Sequence, residues 1–395
     1  MEKRKGKKFK YFKPTEFFYI THIDNLKSIL EKGIFCHNKA KDEGYLIKEI
    51  SNEEVMDIRK DKKVNGIPLW DYANLYMRVT NAMLYKVIRK YGLSNIIILG
   101  INKNVLSKAG VCITDKNAAC SFTKEFSGAD FEEVFKKIGY PLSLEYWTDK
   151  FKQQVMAEVL VPNMIPPEYI QKIFVPNEEA LENVGKISKN EKKAPIIKAP
   201  KMFFQPTKNI EITDKLKIMQ GDMFYSEMQT LTVSVNTAGV MGAGLASRVR
   251  NQFFDVFREY QKVLGEKKLK MGQPTLYERP DTYENTLIYT EEGEEELIPS
   301  HWFLIFPTKN HWALPSDKEG IEKGLIFLRE NYKKWRIESL ALPALGCGLG
   351  KLSWKDIGPL MVKYLKDLEI KVEIYLPNKN IPEEQLTKEF LLGEK

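Results

Sequence analysis

Two glycine-rich stretches decide the fold of the C-terminal half: VNTAGVMGAG at residues 235–244 and LGCGLG at residues 345–350. Each stretch follows a short β-rich run and precedes a helical pattern. Glycine lets the backbone approach an anion closely, and a strand-to-helix loop presents backbone N–H groups at the helix N-terminus. Two such loops side by side predict a site that holds a diphosphate from both faces.

Around these loops, β-rich runs alternate with helical patterns. The β-rich runs cover residues 216–219, 230–235, 304–306, 339–342 and 372–375. The helical patterns cover residues 245–260, 318–333 and 354–368. Alternation of this kind predicts an α/β layer fold with a largely parallel sheet. Residues 281–299 interrupt the alternation and predict an inserted β-hairpin.

The N-terminal half has a different texture. Its apolar runs predict a helix at residues 25–32 and strands at residues 17–21, 95–101, 157–161, 173–175 and 195–204. Residues 38–66 are polar and predict a long loop, with or without a helix. Because the texture changes at about residue 206, we predict two domains, 1–205 and 206–395.

Composition and charge narrow the class of protein. Of the 395 residues, 43% are hydrophobic and 29% are charged, which is typical of a globular rather than a disordered chain. Residues 1–205 hold 35 Lys and Arg against 25 Asp and Glu, a net charge of +10, whereas residues 206–395 carry a net charge of −2. A basic half attracts polyanions such as nucleic acid. A solvated lysine-rich surface accounts for the same charge equally well.

Several classes are disfavoured by what the sequence lacks. No apolar run approaches the ~20 residues of a membrane span, and no apolar stretch follows the basic first ten residues, so we expect neither a membrane segment nor a signal peptide. The cysteines are scattered without a CxxC spacing, which disfavours a zinc site or a disulfide scaffold and predicts a cytoplasmic location. With only four histidines in the chain, we expect no metal centre.

Residues from about 210 to 377 resemble a macrodomain, a three-layer α/β/α fold that binds ADP-ribose. The likeness rests on QGD at residues 220–222 and on Asn236. FPTKNHW at residues 306–312, together with ALPALGCGLG at residues 341–350, resembles the DarG antitoxin macrodomain, a family that removes ADP-ribose from DNA bases. The resemblance implies that Asp222 holds the adenine amino group, that Asn236 contacts the distal ribose, and that Lys309 is catalytic. The implied ADP-ribose contacts in the two glycine loops are Gly239, Gly242, Gly244, Gly346, Cys347, Gly348, Leu349 and Gly350.

The chemistry of a lysine suits that role. Beside the anomeric carbon of the distal ribose, an amine can act on the opened sugar or move a proton, provided that its pKa is lowered. A lone lysine is usually a solvated surface charge, and it is the place of Lys309 in this motif that favours catalysis. For His311 a structural role is favoured over an orienting one.

Residues 11 to about 204 resemble a DarT-type toxin, an α+β DNA-base ADP-ribosyltransferase that uses NAD. The matching segments are ITHIDNL at 20–26, DY at 71–72, NAMLY at 81–85, TD at 114–115, AE at 157–158 and LV at 160–161. The resemblance implies that Glu158 and Arg59 are catalytic. It implies NAD contacts at Tyr19, Thr21, His22, Asn25, Tyr76 and Tyr85, the last two on the nicotinamide side or at the base. Without the resemblance, an acid in the apolar run 157–161 is either catalytic or at a solvent-facing edge.

The residue types fit those roles. Cleavage of the nicotinamide bond builds positive charge on the ribose, which a carboxylate stabilises while it accepts the proton of the attacking base nitrogen. An arginine can hold the pyrophosphate in a bidentate manner. Aromatic side chains can stack nicotinamide and a base that is single-stranded or flipped out.

Three positions depart from the thymine-modifying branch of the DarT family. That branch has histidine at the positions of Tyr19 and Trp70 and near Thr114–Asp115, where this chain has Asn117. The departures fall near the expected base pocket, so the target base is left open between guanine and thymine.

Together the two resemblances predict a toxin–antitoxin fusion. Residues 1–205 attach ADP-ribose from NAD, a substrate, to a base in single-stranded DNA, and residues 206–395 remove it. We expect an intramolecular toxin–antitoxin contact, no metal and no membrane partner. Two alternatives stay open: an ADP-ribose reader with an inactive transferase fold, and a transferase that acts on RNA or protein.

Overall fold

The computed structural model describes residues 14–50, 59–120, 122–132, 154–188, 194–280, 287–289, 295–297, 301–377 and 379–394. The chain forms two compact units, Met1–Phe203 and Phe204–Lys395. Each unit has a hydrophobic core of its own. Across the described residues, no helix is both long and apolar enough to cross a membrane.

The N-terminal unit is built on a mixed sheet with short helices. Its strands are β1 Glu16–His22, β2 Ile34–Phe35, β3 Lys63–Val64, β4 Ile67–Pro68, β5 Tyr72–Tyr76, β6 Ile96–Asn102, β7 Cys112–Thr114, β8 Glu125–Ser127, β9 Glu158–Pro162, β10 Met164–Ile165, β11 Ile170–Val175 and β12 Ile196–Lys198. Its helices are α1 Leu26–Lys32, α2 His37–Asp42, α3 Ala82–Tyr91 and α4 Glu178–Ile187. Eight of the strands form one sheet in the order β12-β11-β6-β1-β5-β9-β7-β8.

Pairing within this sheet sets the positions of the site residues. All neighbours are antiparallel except β11 and β12. Helix α1 turns back after β1 and ends at Gly33, whose φ is +97°. A Cβ atom there would lie 2.4 Å from the carbonyl oxygen of Ile165, so only glycine fits the turn. In the strand order, β1 lies between β5 and β6, in the centre of the sheet.

The C-terminal unit is a three-layer α/β/α structure. Its strands are β13 Lys208–Glu211, β14 Leu216–Gln220, β15 Thr230–Asn236, β16 Thr275–Tyr277, β17 Leu287–Tyr289, β18 Glu295–Leu297, β19 Trp302–Lys309, β20 Ser339–Pro343 and β21 Lys371–Tyr375. Its helices are α5 Gly244–Gln252, α6 Phe254–Gly265, α7 Lys318–Asn331, α8 Trp354–Leu365 and α9 Lys388–Leu392. Seven strands form one sheet in the order β13-β14-β21-β20-β15-β19-β16.

The five central strands of this sheet are parallel, and β13 and β16 are antiparallel edges. Helices α7 and α8 pack on one hydrophobic cluster, and α5 and α6 pack on a second one. Because parallel strands end at one edge, the loops after β15, β19 and β20 converge there. The predicted α/β class with a largely parallel sheet is confirmed.

Most predicted elements are confirmed within one to three residues at their ends, and the differences have local causes. The predicted helix 245–260 is two helices, separated at Phe253 by a non-helical backbone with φ of −132° and ψ of 68°. The predicted strand 195–204 is wrong beyond Lys198, because residues Pro200–Phe203 form a 3₁₀ turn that starts at a proline. The predicted hairpin is confirmed by the antiparallel pair β17–β18, and its tip lies outside the described residues. The sequence pattern does not predict helices α3, α4 and α9, nor the strands β2, β3, β4, β5, β7, β8, β10, β13 and β16.

Candidate functional site

The predicted catalytic pair of the N-terminal unit forms a buried ion pair. The carboxylate of Glu158, at the start of β9, is fully buried. Nη1 and Nη2 of Arg59 donate to its two oxygens at 3.1 and 3.0 Å, a bidentate arrangement. Burial disfavours the charge on Arg59, but the adjacent Glu158 carboxylate outweighs this effect and raises the pKa of the guanidinium. The guanidinium therefore faces Glu158, whereas the sequence led us to expect it on the pyrophosphate of NAD.

The loop after β7 holds the glutamate from the other side. The backbone N–H of Ala118 donates to Glu158 Oε1 at 3.0 Å. The backbone N–H of Glu158 donates to Thr114 Oγ1 at 3.0 Å. The structure thus brings together Thr114 and Glu158, which lie in two of the segments that resemble the DarT family. Asn117 directly precedes Ala118, and its Oδ1 accepts from Ala119 N at 2.8 Å.

One of the predicted NAD-binding tyrosines lies beside this pair, and a second lies on the strand that neighbours β5. Tyr76, at the end of β5, is the cross-strand partner of Glu158 and is buried. Burial raises the pKa of its phenol, and the Glu158 carboxylate adds to the effect. Tyr19 lies on β1, and burial followed by the charge of Glu49 raises its pKa to about 12. Both phenols therefore stay protonated at neutral pH.

Thr21, His22 and Asn25 organise the turn after β1. The Asn25 amide donates to Thr21 Oγ1 at 3.1 Å and to the Lys48 carbonyl at 2.7 Å. Its Oδ1 accepts from the backbone N–H groups of Ile47 and Lys48, both at 2.9 Å. Nδ1 of His22 accepts from the backbone N–H of the 3₁₀ turn that follows, at 3.3 Å. The Asn25 side chain thus holds the 45–48 loop against this turn.

Tyr85 lies on helix α3. Its hydroxyl accepts from Arg89 Nη1 at 3.0 Å, and the Arg89 guanidinium lies 5.5 Å from its ring centroid. Its predicted NAD contact stays a prediction.

Sequence reasoning missed a cluster close to Arg59. The His37 ring packs against Trp70 with centroids 4.3 Å apart, and its Nδ1 lies 3.3 Å from Glu49 Oε1. Burial lowers the pKa of His37, the Glu49 carboxylate opposes this, and nearby Lys41 and Arg59 lower it further. Within the described part of the chain, His37 Nε2 and Trp70 Nε1 are buried without a hydrogen-bond partner. The sequence signals were the place of Trp70 near the expected base pocket and the scarcity of histidine, whereas His37 and Glu49 fall in or beside the polar stretch 38–66.

In the C-terminal unit, the predicted Asn236 and Lys309 are neighbours at the carboxyl ends of β15 and β19. Their Cα atoms are cross-strand partners after a register shift that leaves Thr308 unpaired. Nζ of Lys309 donates to the Leu314 carbonyl at 2.9 Å and approaches the Leu349 carbonyl at 3.5 Å. Desolvation, and then the charge of Lys351, lower the pKa of Lys309. This is the direction that amine or proton-transfer chemistry requires.

Asn236 fixes the first glycine loop. Its Nδ2 donates to the Val240 carbonyl at 2.6 Å, and its Oδ1 accepts from Ala238 N at 3.0 Å. The hydroxyl of Tyr260 on α6 donates to the Asn236 carbonyl at 2.7 Å, and burial raises the pKa of this phenol to about 12. The residue that the resemblance places at the distal ribose therefore also shapes the loop around it. Gly239 has a φ of +84° within this loop.

The second glycine loop is equally constrained. A Cβ atom on Gly350 would lie 2.1 Å from Ser316 Oγ and 2.5 Å from the Gly346 carbonyl oxygen. Lys379 Nζ donates to the Cys347 carbonyl at 2.9 Å and approaches that of Gly348 at 3.4 Å. Burial raises the pKa of the Cys347 thiol to about 12, so this residue contributes its backbone rather than a thiolate.

The two glycine loops contact each other, as the sequence predicted. A Cβ atom on Gly244, where φ is +59°, would lie 3.2 Å from Leu349 Cδ1. Gly242 belongs to the first loop. The first loop precedes α5 and the second precedes α8. The N-terminus of α5 therefore lies against the second glycine loop.

Asp222 follows strand β14 at its carboxyl end. Its Oδ1 accepts from Phe224 N at 3.1 Å, and its Oδ2 accepts from Arg248 Nη1 at 2.6 Å. The Arg248 guanidinium lies 4.2 Å from the Phe224 ring centroid. Sequence reasoning missed Arg248, Tyr260 and Lys379, because each acts through a contact that is distant along the chain. No group of three or more His, Cys, Asp or Glu in the described ranges could hold a metal ion.

A mixed sheet with a buried glutamate–arginine pair, followed by a three-layer unit with paired glycine loops, defines an ADP-ribosyltransferase joined to a macrodomain. The family model for "ssDNA thymidine ADP-ribosyltransferase, DarT" matches residues 18–204. A "DNA ADP-ribosyl transferase-DNA ADP-ribosyl glycohydrolase fusion protein" of Thermosipho africanus is 44% identical over 95% of this chain and 98% of its own length. The solved structure of Thermosipho africanus DarTG in complex with ADP-ribose has a TM-score of 0.85 at 42% identity and covers 95% of this chain and 99% of its own. A DNA ADP-ribosyl transferase of Thermus sp. (strain 2.9) is 29% identical over 45% of this chain and 90% of its own length.

The chain belongs to the family of DarT–DarG fusion proteins. The predicted resemblances, and the predicted pairing of a transferase with a glycohydrolase, are confirmed.

Proposed function

We propose that residues 1–205 transfer ADP-ribose from NAD to a base of single-stranded DNA, and that residues 206–395 remove it. The observation that carries the proposal is that each unit presents the groups its half-reaction needs. The N-terminal unit holds Glu158 clasped by Arg59, and the C-terminal unit holds Lys309 in register with Asn236.

In the transfer step, the bond between nicotinamide and C1′ of its ribose breaks, and nicotinamide leaves with the electron pair. A ring nitrogen of the DNA base forms the new bond to C1′ and loses its proton to Glu158. Arg59 and the Ala118 N–H fix the carboxylate, which is then ready to stabilise the developing ribose cation. Tyr76 lies beside the glutamate and contributes to the nicotinamide or base pocket.

The turn after β1 supplies the NAD-binding surface in this proposal. Thr21, His22 and Asn25 hold that surface in shape through the contacts described above. Tyr19 donates a hydrogen bond from its protonated phenol. Arg59 acts as the partner of Glu158, and a second role on the pyrophosphate would require it to release one oxygen.

In the removal step, the glycine loops hold the diphosphate and Asp222 holds the adenine. Asn236 lies at the distal ribose. Lys309, whose pKa is lowered, acts on the opened sugar as an amine or moves the proton that the departing base takes up. Water then replaces the base at the anomeric carbon.

The target base is guanine or thymine. Trp70 packs against His37, and Asn117 precedes the Ala118 N–H that binds Glu158, so two of the departures from the thymine branch lie close to the reacting groups. We further propose a cytoplasmic location, where NAD and DNA are available. The four cysteines are free, which suits a reducing compartment.

The test uses the full chain with Lys309→Ala, which removes the proposed hydrolase activity of the C-terminal unit. Single-stranded oligonucleotides that each contain one guanine or one thymine are incubated with NAD, and intact mass is recorded. We expect a gain of one ADP-ribose on one of the two, and its loss after addition of the full chain with Glu158→Gln. The Glu158→Gln/Lys309→Ala double variant should produce neither change.

The alternatives predict other results. Modification of RNA or protein but not DNA would move the transferase to that substrate. No modification of any acceptor, with ADP-ribose still bound, would leave an ADP-ribose reader.

A further inference from the structure

Exposed apolar side chains of the C-terminal unit gather around Lys309. Among its described residues, seven large apolar side chains are exposed. Two of them, Phe254 and Ile326, lie on helices α6 and α7. The other five lie in the loops after β15, β19 and β20 or in the first turn of α5: Val240, Leu245, Trp312, Leu314 and Leu349. Apolar side chains collected in this way at one edge mark a binding surface.

Direct contacts join this surface to the site. The carbonyls of Leu314 and Leu349 are the two acceptors of Lys309 Nζ. Leu349 packs over Gly244 at the start of α5. The Thr237 hydroxyl donates to the Asn310 carbonyl at 3.0 Å, which ties the first glycine loop to the loop that bears Trp312.

Trp312 is the largest member and lies in a fixed turn. The backbone N–H of Leu314 donates to the His311 carbonyl at 3.1 Å, and that of Ala313 donates to His311 Nδ1 at 3.3 Å. The His311 and Trp312 rings lie 5.2 Å apart at 35°. The indole is nevertheless 59% exposed, so the turn presents its face to solvent rather than to the core.

We propose that Trp312, with His311 beside it, stacks the DNA base that carries the ADP-ribose while the distal ribose lies at Lys309. The inference rests on the proposed function of the C-terminal unit. In the adduct, one bond joins the base to the anomeric carbon, so a base whose sugar lies at Lys309 must lie within a few ångströms of that lysine. Trp312 is three residues away in a turn that folds back over the lysine.

The chemistry of the surface suits a nucleobase in single-stranded DNA. An aromatic face stacks any base, so this contact tolerates either guanine or thymine. Lys351, whose charge is felt at Lys309, supplies positive charge beside it for the phosphates of the strand. Trp312 is thus a specificity residue that distinguishes ADP-ribosylated DNA from free ADP-ribose.

The test measures binding in the full chain with Lys309→Ala, so that no turnover occurs. The probes are free ADP-ribose and a single-stranded oligonucleotide with one ADP-ribosyl base, made with the Thermus sp. transferase so that it does not depend on this chain's own activity. We expect Trp312→Ala to weaken oligonucleotide binding roughly 5- to 150-fold and to leave the Kd for ADP-ribose within about two-fold. Trp312→Phe should restore most of the loss, because a phenyl ring also stacks.

Phe254→Ala is the matched control. Phe254 is 58% exposed, like Trp312, but it lies beyond the far end of α5 from the glycine loop. It should change neither Kd. An unchanged Kd for the oligonucleotide in Trp312→Ala, or an equal loss for both probes, would overturn the inference.

Removal assays separate this inference from the proposed function. If the chain with Lys309 intact binds the adduct through Trp312 but does not release ADP-ribose, the proposed hydrolase activity fails and the stacking surface stands. If it releases ADP-ribose and Trp312→Ala does so with unchanged kcat/KM, the hydrolase activity stands and the stacking surface fails.

Discussion

Replacing Arg59 with methionine tests whether the buried ion pair is a unit that the fold depends on. The substitution keeps a long side chain and removes the two donors that reach Glu158 at 3.1 and 3.0 Å. Of the hydrogen bonds described for the Glu158 carboxylate oxygens, the one from the Ala118 N–H at 3.0 Å then remains. Glu158 is fully buried, so water does not replace the lost partners.

The size of the effect follows from that burial. Removing one partner of a buried ion pair costs about 3–5 kcal/mol, because the other charge stays in a medium of low dielectric constant. The Arg59 side chain is 13% exposed, which places the expected cost toward the lower limit of that range. Replacing both partners, with Arg59→Met and Glu158→Gln together, removes the stranded charge and keeps an acceptor for Ala118 N. We expect the double variant to recover at least ~2 kcal/mol relative to Arg59→Met.

The assay must report on the N-terminal unit alone, since the chain has two compact units. Hydrogen exchange measured by mass spectrometry along a urea series gives a free energy of opening for peptides of each unit. Peptides from β6 and β9 report on the variant, and peptides from β15 and β19 are the internal control. The control peptides should keep their wild-type protection.

Two results would refute the reasoning. A cost below ~1 kcal/mol for Arg59→Met would mean that the pair is solvated in solution. A double variant no more stable than Arg59→Met would mean that packing of the arginine, and not its charge, supports the unit.

Three further predictions concern the C-terminal unit. Lys351→Gln removes a neighbouring positive charge and should raise the pKa of Lys309. Because the neutral amine is the reactive form, the alkaline rise of the removal rate should move to higher pH. An unmoved pH profile would exclude the Lys309 amine as the titrating group. Tyr260→Phe leaves the Asn236 carbonyl without its 2.7 Å donor and should lower the free energy of unfolding by about 1–3 kcal/mol, measured by urea denaturation, together with a weaker Kd for ADP-ribose by calorimetry. Gly350→Ala should destabilise the unit by about 1–3 kcal/mol, because its Cβ would meet the backbone at 2.5 Å. Gly348→Ala has open space around its Cβ and should change the free energy of unfolding by no more than about 0.5 kcal/mol, so equal melting temperatures of the two variants would contradict this prediction.

The elements that could be predicted are those whose signal is local. Short β-rich runs between helical patterns located β15, β19, β20 and β21, and glycines located both loops. The break at Phe253 could not be predicted, because the apolar period continues through it without glycine or proline. Strands β7 and β8 were missed because each has three residues, too few for a period to show.

The site residues divide in the same way. The positions of Glu158, Arg59 and Lys309 came from a family resemblance. The ion pair, however, joins residues 99 apart, and the lowered pKa of Lys309 depends on desolvation and then on the charge of Lys351 in another loop. Asn25 shows the limit of residue type as evidence. A buried amide that binds a ligand and one that binds a backbone look alike in sequence, and here four hydrogen bonds go to the protein itself.

The register shift between β15 and β19 makes the number of residues in β19, and not only their identity, a condition for the proposed activity. Val235 pairs with Pro307 and Asn236 pairs with Lys309, so one residue is skipped on β19. Pro307 has no N–H for the ladder, and proline in a central strand is found at such irregularities. Thr308, the extra residue, is buried and its hydroxyl donates to the Val235 carbonyl at 3.3 Å, so its deletion would remove both this bond and the irregularity that sets the approach of Lys309 to the glycine loops. Insertions and deletions should accordingly be absent between Pro307 and Lys309 in active members of the family, while they accumulate in the hairpin that precedes β19.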